Sequence, residues 1–254
     1  MVERDAPWPP GTPTWVDLAS NDAEAATAFY AGLFGWDCKH QGSPDYFVCS
    51  VDGEDVAGIG PKQPGIEHLP SRWTTYLATD QLENTLDTVS SEGGDRLVEP
   101  REIAPHGRMA IAADPNGAIF GLWQAADHVG TERRHEPGML VWSEALSNDY
   151  ETARAFYTSV FDYRHEELFG DTQYAALFAG DRPVAGTGEF HPSMPDEISP
   201  HWLPYFATTS ADGTVEQVRS GGGDLVGNPL DTDFGRMAVL SDPEHALFAV
   251  IQLG

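Results

Sequence analysis

The chain repeats itself. Trp15-Val16-Asp17-Leu18-Ala19-Ser20-Asn21-Asp22 returns as Trp142-Ser143-Glu144-Ala145-Leu146-Ser147-Asn148-Asp149, an offset of 127 residues. At the same offset Ala28-Phe29-Tyr30 meets Ala155-Phe156-Tyr157, and Phe34 meets Phe161. Further on, Gly107-Arg108-Met109-Ala110 returns as Gly235-Arg236-Met237-Ala238, Asp114-Pro115 as Asp242-Pro243, and Gln124 as Gln252, now offset by 128. Self-similarity at a fixed period constrains a chain more than any single motif, because each copy must adopt the same fold. The expected division is an extension over 1–10, a first domain over 11–126, a linker over 127–137 where charge, glycine and proline break both patterns, and a second domain over 138–254.

Each half divides again. Thr14 to Ala19 alternates as a strand does, and Asp22 is a good helix cap for the apolar spacing of Ala25, Ala26, Phe29, Tyr30 and Phe34. Tyr46 to Val51 and Asp55 to Ile59 read as strands around the turn Asp52-Gly53. The order then restarts. Trp73 to Thr79 is a strand, Asp80 is expected to cap a helix ending near Gly93-Gly94, and strands follow at Arg108 to Ala113 and Ala118 to Gln124, joined by Asp114-Pro115-Asn116-Gly117. Gly221-Gly222-Gly223 in the second half likewise reads as a helix end. The expected fold is α+β: four βαβββ units in two tandem domains, each with a curved mixed sheet that buries one face under helices and leaves a concave face for a small molecule.

The formal charge is −26, from 40 acidic against 14 basic residues, with Lys39 and Lys62 the only lysines. Such a field repels polyanions, so neither nucleic acid nor an anionic membrane is an expected partner. It fits a solubilising acidic surface or an adaptation to high salt. Cys38 and Cys49 form no CxxC pattern, and two cysteines make no disulfide scaffold, so both are expected as reduced thiols of a cytoplasmic protein. Met1 to Thr14 is acidic and proline-rich, unlike a signal peptide, and no run approaches the roughly 18 apolar residues that span a membrane. No P-loop, nucleophile elbow, HExxH or dinucleotide fingerprint is present.

The early Ala-x-x-Phe-Tyr at Ala26 to Tyr30, the Phe34-Gly35-Trp36 that follows it and the turn Asp114-Pro115-Asn116-Gly117 resemble the vicinal oxygen chelate superfamily. That superfamily includes glyoxalase I, extradiol dioxygenases, fosfomycin-resistance proteins and bleomycin-binding proteins. The resemblance covers nearly the whole chain, and the doubled Gly-Arg-Met followed by Asp-Pro looks most like actinobacterial tandem proteins of the group. It implies a metal held by a His or Gln opening the first strand of each unit and a Glu in the last. Carried over, the strand openers are Trp15, Trp73, Trp142 and Trp202, and the late-strand positions are Gly121, Ala249 and the neighbourhoods of Gly58 and Gly186. Indole is a donor only and cannot ligate a divalent metal. A shift of one residue would bring in His201, a single ligand. The expectation is therefore no metal and no other cofactor.

What remains in such a cleft is aromatic. Trp15, Trp73, Trp142 and Trp202 opposite glycine or alanine would either plug an abandoned metal site or stack on a flat ligand. Asp17 and Glu144 share a face with Trp15 and Trp142 and are the candidate acid–base groups, with a structural hydrogen-bonding role as the alternative. Arg108 and Arg236 would form ion pairs with those acids or bind a ligand anion; Tyr46, Tyr76, Tyr174 and Tyr205 would line the pockets or the core. His106 stands where the second half has Phe234, which points to different ligand use in the two halves. The expected function is binding of an apolar or aromatic small molecule, either to sequester it or to catalyse metal-free lyase, isomerase or cyclase chemistry. The alternatives are a metal-dependent lyase or dioxygenase with displaced ligands, and an interaction module with vestigial clefts. A monomer or a homodimer would serve, since the duplication supplies an internal pairing.

Overall fold

The computed structural model describes residues 6–131, 136–168, 172–195 and 197–252. The first unit is β1 (Pro13–Ser20), α1 (Ala23–Phe34), β2 (Asp37–His40), β3 (Phe47–Val51) and β4 (Glu54–Pro61). The second is β5 (Arg72–Ala78), α2 (Leu82–Ser91), β6 (Asp95–Ile103), β7 (Gly107–Ala113) and β8 (Ile119–Ala125). The third is β9 (Leu140–Leu146), α3 (Tyr150–Phe161), β10 (Arg164–Glu167), β11 (Tyr174–Ala179) and β12 (Arg182–Gly188). The fourth is β13 (His201–Thr208), α4 (Ala211–Ser220), β14 (Asp224–Thr232), β15 (Gly235–Ser241) and β16 (Leu247–Gln252). The four βαβββ units form two eight-stranded mixed sheets, ordered β2-β3-β4-β1-β5-β8-β7-β6 and β10-β11-β12-β9-β13-β16-β15-β14.

Local chemistry explains the helix ends. The Asp22 carboxylate accepts the Ala25 N–H at 3.0 Å, Asp149 accepts that of Thr152 at 3.1 Å, and Ser210 caps α4 through the Gly213 N–H. Helix α1 stops at Gly35, whose φ of 71° suits a residue without a Cβ. Asp80 does not cap α2 as expected. Gln81 holds the cap position without a side-chain bond, and its N–H is taken by Thr79 Oγ1. The cysteines are not separate thiols either. Cys38 and Cys49 lie directly opposite in the β2–β3 register and form a disulfide, a proximity that spacing in the chain could not reveal.

Within a half, the two units join by their first strands. β1 runs antiparallel to β5, with Trp15 opposite Tyr76 and Asp17 opposite Thr74; β9 and β13 repeat this with Trp142 opposite Tyr205 and Glu144 opposite Leu203. Across the halves, the units join by their helices. One core packs first-unit residues Val16, Leu18, Tyr30 and Ile59 against fourth-unit Phe206, Val218, Leu240 and Phe248. The other packs second-unit Leu77, Leu86 and Phe120 against third-unit Phe156 and Tyr157, with fourth-unit Trp202 beside them. Each unit therefore buries both kinds of surface, one against its partner in the same sheet and one against a unit of the other half.

Two matching buried relays tie these cores together. Trp73 Nε1 donates to Tyr30 Oη at 2.9 Å, and Tyr30 Oη donates to Asp242 Oδ2 at 3.1 Å. Trp202 Nε1 donates to Tyr157 Oη at 2.7 Å, and Tyr157 Oη donates to Asp114 Oδ2 at 3.0 Å. The other oxygen of each aspartate accepts two backbone N–H groups of its Asp-Pro turn. Burial pushes both tyrosine hydroxyls well above their ordinary value and raises both carboxyls. Replacing Tyr30 by Phe leaves a buried indole N–H and one carboxylate oxygen unpaired, each costing about 1–3 kcal/mol. Tyr30→Phe and Tyr157→Phe should each lower stability by about 2–4 kcal/mol in urea unfolding. A loss below about 0.5 kcal/mol in either variant would show that the relay does not hold the halves together.

Candidate functional site

The faces of the sheets turned away from the helices carry two smaller aromatic clusters. In the first half these are Trp15, Ile66, Tyr76, Val98, Met109, Ile111 and Trp123; in the second, Leu146, Leu203, Tyr205, Ala249 and Ile251, with Trp142 packed against them. The first cluster opens into a cavity of about 410 Å³. Its inner wall is Trp15, Asp17, Tyr46, Val48, Tyr76, Met109, Trp123 and His128, and its mouth carries Gln41, Asp55, Gln63, Glu102 and His106.

Asp17 sits on the cleft floor among donors. Trp15 Nε1 donates to its Oδ1 at 2.6 Å and Tyr46 Oη donates to the same oxygen at 2.8 Å, and the Tyr76 hydroxyl also bonds to the carboxyl. Among the described residues no arginine, lysine or histidine forms an ion pair with it. Burial raises the Asp17 carboxyl above the ordinary range, and the three donors only partly offset this. Burial, and after it the Asp17 charge, push the Tyr46 and Tyr76 hydroxyls well above theirs. Glu144 is the second-half counterpart. Tyr205 Oη donates to its Oε1 at 2.6 Å, Tyr174 also bonds to it, and burial again raises the carboxyl. There the indole differs: Trp142 Nε1 donates to Tyr174 Oη at 3.0 Å instead of to the acid.

Glycines make room for this arrangement. Gly58 lies beside Asp17 in the β1–β4 register, and Gly121 beside Tyr76 in β5–β8. A methyl group on Gly58 would collide with Asp17 Oδ1 and Tyr46 Oη, and one on Gly121 with the Tyr76 ring. Gly60 leaves space for the same Tyr46 ring. The second half repeats the device, with Gly186 and Gly188 under Tyr174. The signal was in the chain as Val56-Ala57-Gly58-Ile59-Gly60 and Val184-Ala185-Gly186-Thr187-Gly188, an alternating-glycine strand that marks close approach by a bulky neighbour.

Trp73 and Trp202 are not in the clefts, contrary to expectation. Trp73 lies opposite Leu18 in the β1–β5 register, on the helix side, whereas Trp15 lies opposite Tyr76 on the cleft side; the parallel registers Asp17–Gly58 and Tyr76–Gly121 make Tyr76 the counterpart of Asp17 and hence Thr74 that of Trp15. A register difference of one residue turns a side chain to the other face of the sheet. Trp73 and Trp202 therefore belong to the helix-side cores and the relays described above. Arg108 and Arg236 are corrected in the same way. Met109 and Met237 face the clefts. Arg108 pairs with Glu83 and Glu102, and Arg236 with Asp212 and Asp231, so neither arginine reaches Asp17 or Glu144. Such exposed pairs contribute little to stability. Tyr46, Tyr76, Tyr174 and Tyr205 do gather around the two acids. His201 lies on the cleft side of β13, donates from Nδ1 to Ser199 O at 2.8 Å, and stacks on Phe190.

The strand openers that the resemblance assigns to metal ligands are Trp15, Trp73, Trp142 and Trp202, and the cleft-facing pairs in the observed register are Asp17 with Gly58 and Tyr76 with Gly121 in one half and Glu144 with Gly186 and Tyr205 with Ala249 in the other. Each set offers one carboxylate and no imidazole. A bound divalent metal takes about four to six N, O or S donors. Among the described residues no group of three or more His, Cys, Asp or Glu could hold one. The residues do not fit the group.

Trp123, Met109 and His128 line the first cleft and were not singled out from the chain. Trp123 and Met109 were within reach of strand alternation, two residues from Gly121 and one from Arg108. His128 was not, since it lies in the expected linker. That segment folds back: Trp123 Nε1 donates to His128 O at 2.9 Å, Thr131 N–H to Thr14 O at 2.8 Å and His128 N–H to His106 O at 3.0 Å. The His128 ring meets Trp15 edge-on at 4.6 Å, and burial holds its imidazole down at about 4. The rest of the expected linker, 132–135, lies outside the described residues.

Comparison with known proteins agrees with this architecture. The family model for the glyoxalase/bleomycin resistance protein/dioxygenase superfamily matches twice, at residues 12–122 and 140–250. The "Putative glyoxylase CFP32" of Mycobacterium tuberculosis is 40% identical over 250 residues, covering 95% of each chain. The "Anthracycline biosynthesis protein DnrV" of Streptomyces peucetius is 35% identical over 261 residues, covering 96% of this chain and 94% of the relative. Among solved structures, the Mn(II)-bound glyoxalase from Novosphingobium aromaticivorans superposes with a TM-score of 0.64 at 16% identity, over 96% of this chain and 83% of that one. With the family's domain present twice and its strand order in both sheets, the chain belongs to the glyoxalase/bleomycin resistance protein/dioxygenase superfamily.

Proposed function

We propose that the first-half cleft binds a largely apolar, aromatic small molecule without a resident metal, and either holds it or moves a proton on it through Asp17. The observation that carries this reading is the cavity itself: about 410 Å³, with Trp15, Tyr46, Tyr76 and Trp123 in its wall around one carboxyl. A pocket of this size suits a small ligand, and flat π-faces favour a flat one. The carboxyl, raised by burial and oriented by three donors, is nearer to neutral pH than an exposed aspartate, which is what a general acid or base requires. Glu144 would take the same part in the second half. Two relatives named for anthracycline biosynthesis support an aromatic ligand. The internal duplication already supplies the pairing of units, which favours a monomer or homodimer, and no described helix is long and apolar enough to cross a membrane.

The purified protein should hold no stoichiometric manganese, iron, zinc or nickel, and adding these back should leave its melting temperature unchanged. A neutral polycyclic phenol such as 1,8-dihydroxyanthraquinone should quench tryptophan emission saturably, and Val48→Trp, which fills the cavity from its side wall, should abolish that quenching. One bound metal per half with a metal-dependent melting temperature would overturn the metal-free reading.

The raised Asp17 carboxyl also has a stability consequence. The folded protein holds that proton to higher pH than the unfolded chain does, so the contribution of Asp17 is most favourable below the ordinary carboxylate range and is lost as pH rises through it, from roughly pH 4 upward. Asp17→Asn, whose amide oxygen can still accept from Trp15 and Tyr46, should therefore melt at or above the wild-type temperature at pH 7 and show a flatter dependence between pH 4 and pH 7. A clearly lower melting temperature for Asp17→Asn at pH 7 would contradict a destabilised carboxylate.

A further inference from the structure

The wall of the first-half cleft is one-sided in charge. Asp17 lies on its floor, Asp55 and Glu102 stand at its rim, and no lysine or arginine is among the residues lining it. Of the neighbouring arginines, Arg108 pairs with Glu83 at 2.5 Å and with Glu102 at 3.7 Å, whereas Arg101 donates to the neutral amide oxygen of Gln63 at 3.1 Å and its charge is felt at the Tyr76 hydroxyl, so it stands against Asp17 and Asp55 without cancelling both. His128 carries no charge at neutral pH. Asp55 enters no ion pair with lysine or arginine among the described residues; its carboxyl is raised by burial and by adjacent Glu54, and only His106 pulls it back. Between floor and rim lie the rings of Trp15, Tyr76 and Trp123.

Three features of this wall point the same way. Uncompensated carboxylates attract a cation and repel an anion, most strongly where low-dielectric walls focus their field. Aromatic faces attract a cation through the ring quadrupole, by a further few-fold. The field of the whole chain, at −26, adds to both. We propose that the ligand of this cleft is a cation: a flat apolar compound bearing a protonated amine, its rings against Trp15, Tyr76 and Trp123 and its ammonium at the rim beside Asp55. The proposal rests on the cleft reading above and narrows it, since it excludes carboxylates, phosphates and other anionic metabolites as ligands of this half. The rim is solvated, so the preference for the cation is modest and depends on salt.

The test is a charge series on one ring system: naphthalene-2-methylamine, naphthalene-2-methanol and 2-naphthoate, titrated into the full chain by calorimetry and tryptophan emission at pH 7. The amine should bind about tenfold more tightly than the alcohol at 50 mM NaCl, the naphthoate most weakly, and the gap should shrink at 500 mM NaCl. Asp55→Asn should lower the amine-to-alcohol affinity ratio several-fold. Equal binding of all three, or naphthoate binding as tightly as the amine, overturns the proposal and leaves the aromatic cleft standing. An amine preference that survives Asp55→Asn unchanged overturns the assignment of the ammonium to Asp55. No saturable binding by any of the three, together with no quenching by the neutral anthraquinone, overturns both the cleft and the charge.

Discussion

The two buried tryptophan–tyrosine–aspartate relays are the constraint on which the rest of the molecule depends. Each joins three units: Trp73 from the second, Tyr30 from the first and Asp242 from the fourth, with Trp202, Tyr157 and Asp114 as the mirror set. The aspartates also form their Asp-Pro turns through two backbone N–H bonds each. A buried carboxylate is costly unless its lone pairs are taken, and here each is taken by atoms of different units. The relay is satisfied only when the sheet pairing within a half and the helix packing between halves are both correct. It therefore links two interfaces that apolar packing alone would leave independent.

Fixing the helix-side faces in this way leaves the opposite faces of the sheets free to diverge. Both carry an acid surrounded by two tyrosines, with an indole bonded either to the acid or to one of its tyrosines, and both make space for the tyrosine with two glycines in the neighbouring strand. Differences lie at the rims. His106, Asp55 and the His128 segment frame the first cleft, whereas Phe234, the counterpart of His106, is 68% exposed. An acid held by neutral donors alone keeps the option of taking up a proton, which an acid paired to arginine loses.

The cleft also explains the doubled Gly-Arg-Met. Its glycine, with φ of 159° in one copy and 134° in the other, starts a strand against the backbone oxygen of the last strand in its half, and a side chain there would strike that oxygen. Its methionine faces the cleft, and its arginine leaves on the other side to pair with acids at the edge of the helix layer. One tripeptide serves the turn, the cavity wall and the surface.

The sequence by itself determined the duplication, the order of strands and helices, the superfamily, and the presence of acids and aromatics on the first strand of each half. These are properties of period and local pattern, which act over a few residues or repeat at a fixed offset. Tertiary structure alone decided which face each tryptophan takes, because antiparallel pairing around a two-fold sets correspondence by register and not by likeness. Trp15 resembles Trp73 in the chain, yet Trp15 lies opposite Tyr76 and Trp73 opposite Leu18. The same holds for Cys38 and Cys49, separate along the chain and opposed in the sheet, and for His128, which reaches the cleft only because the segment after β8 folds back onto it. Period can be read from one copy of a strand laid on another; register depends on the partner strand, and the partner is chosen only when the units meet.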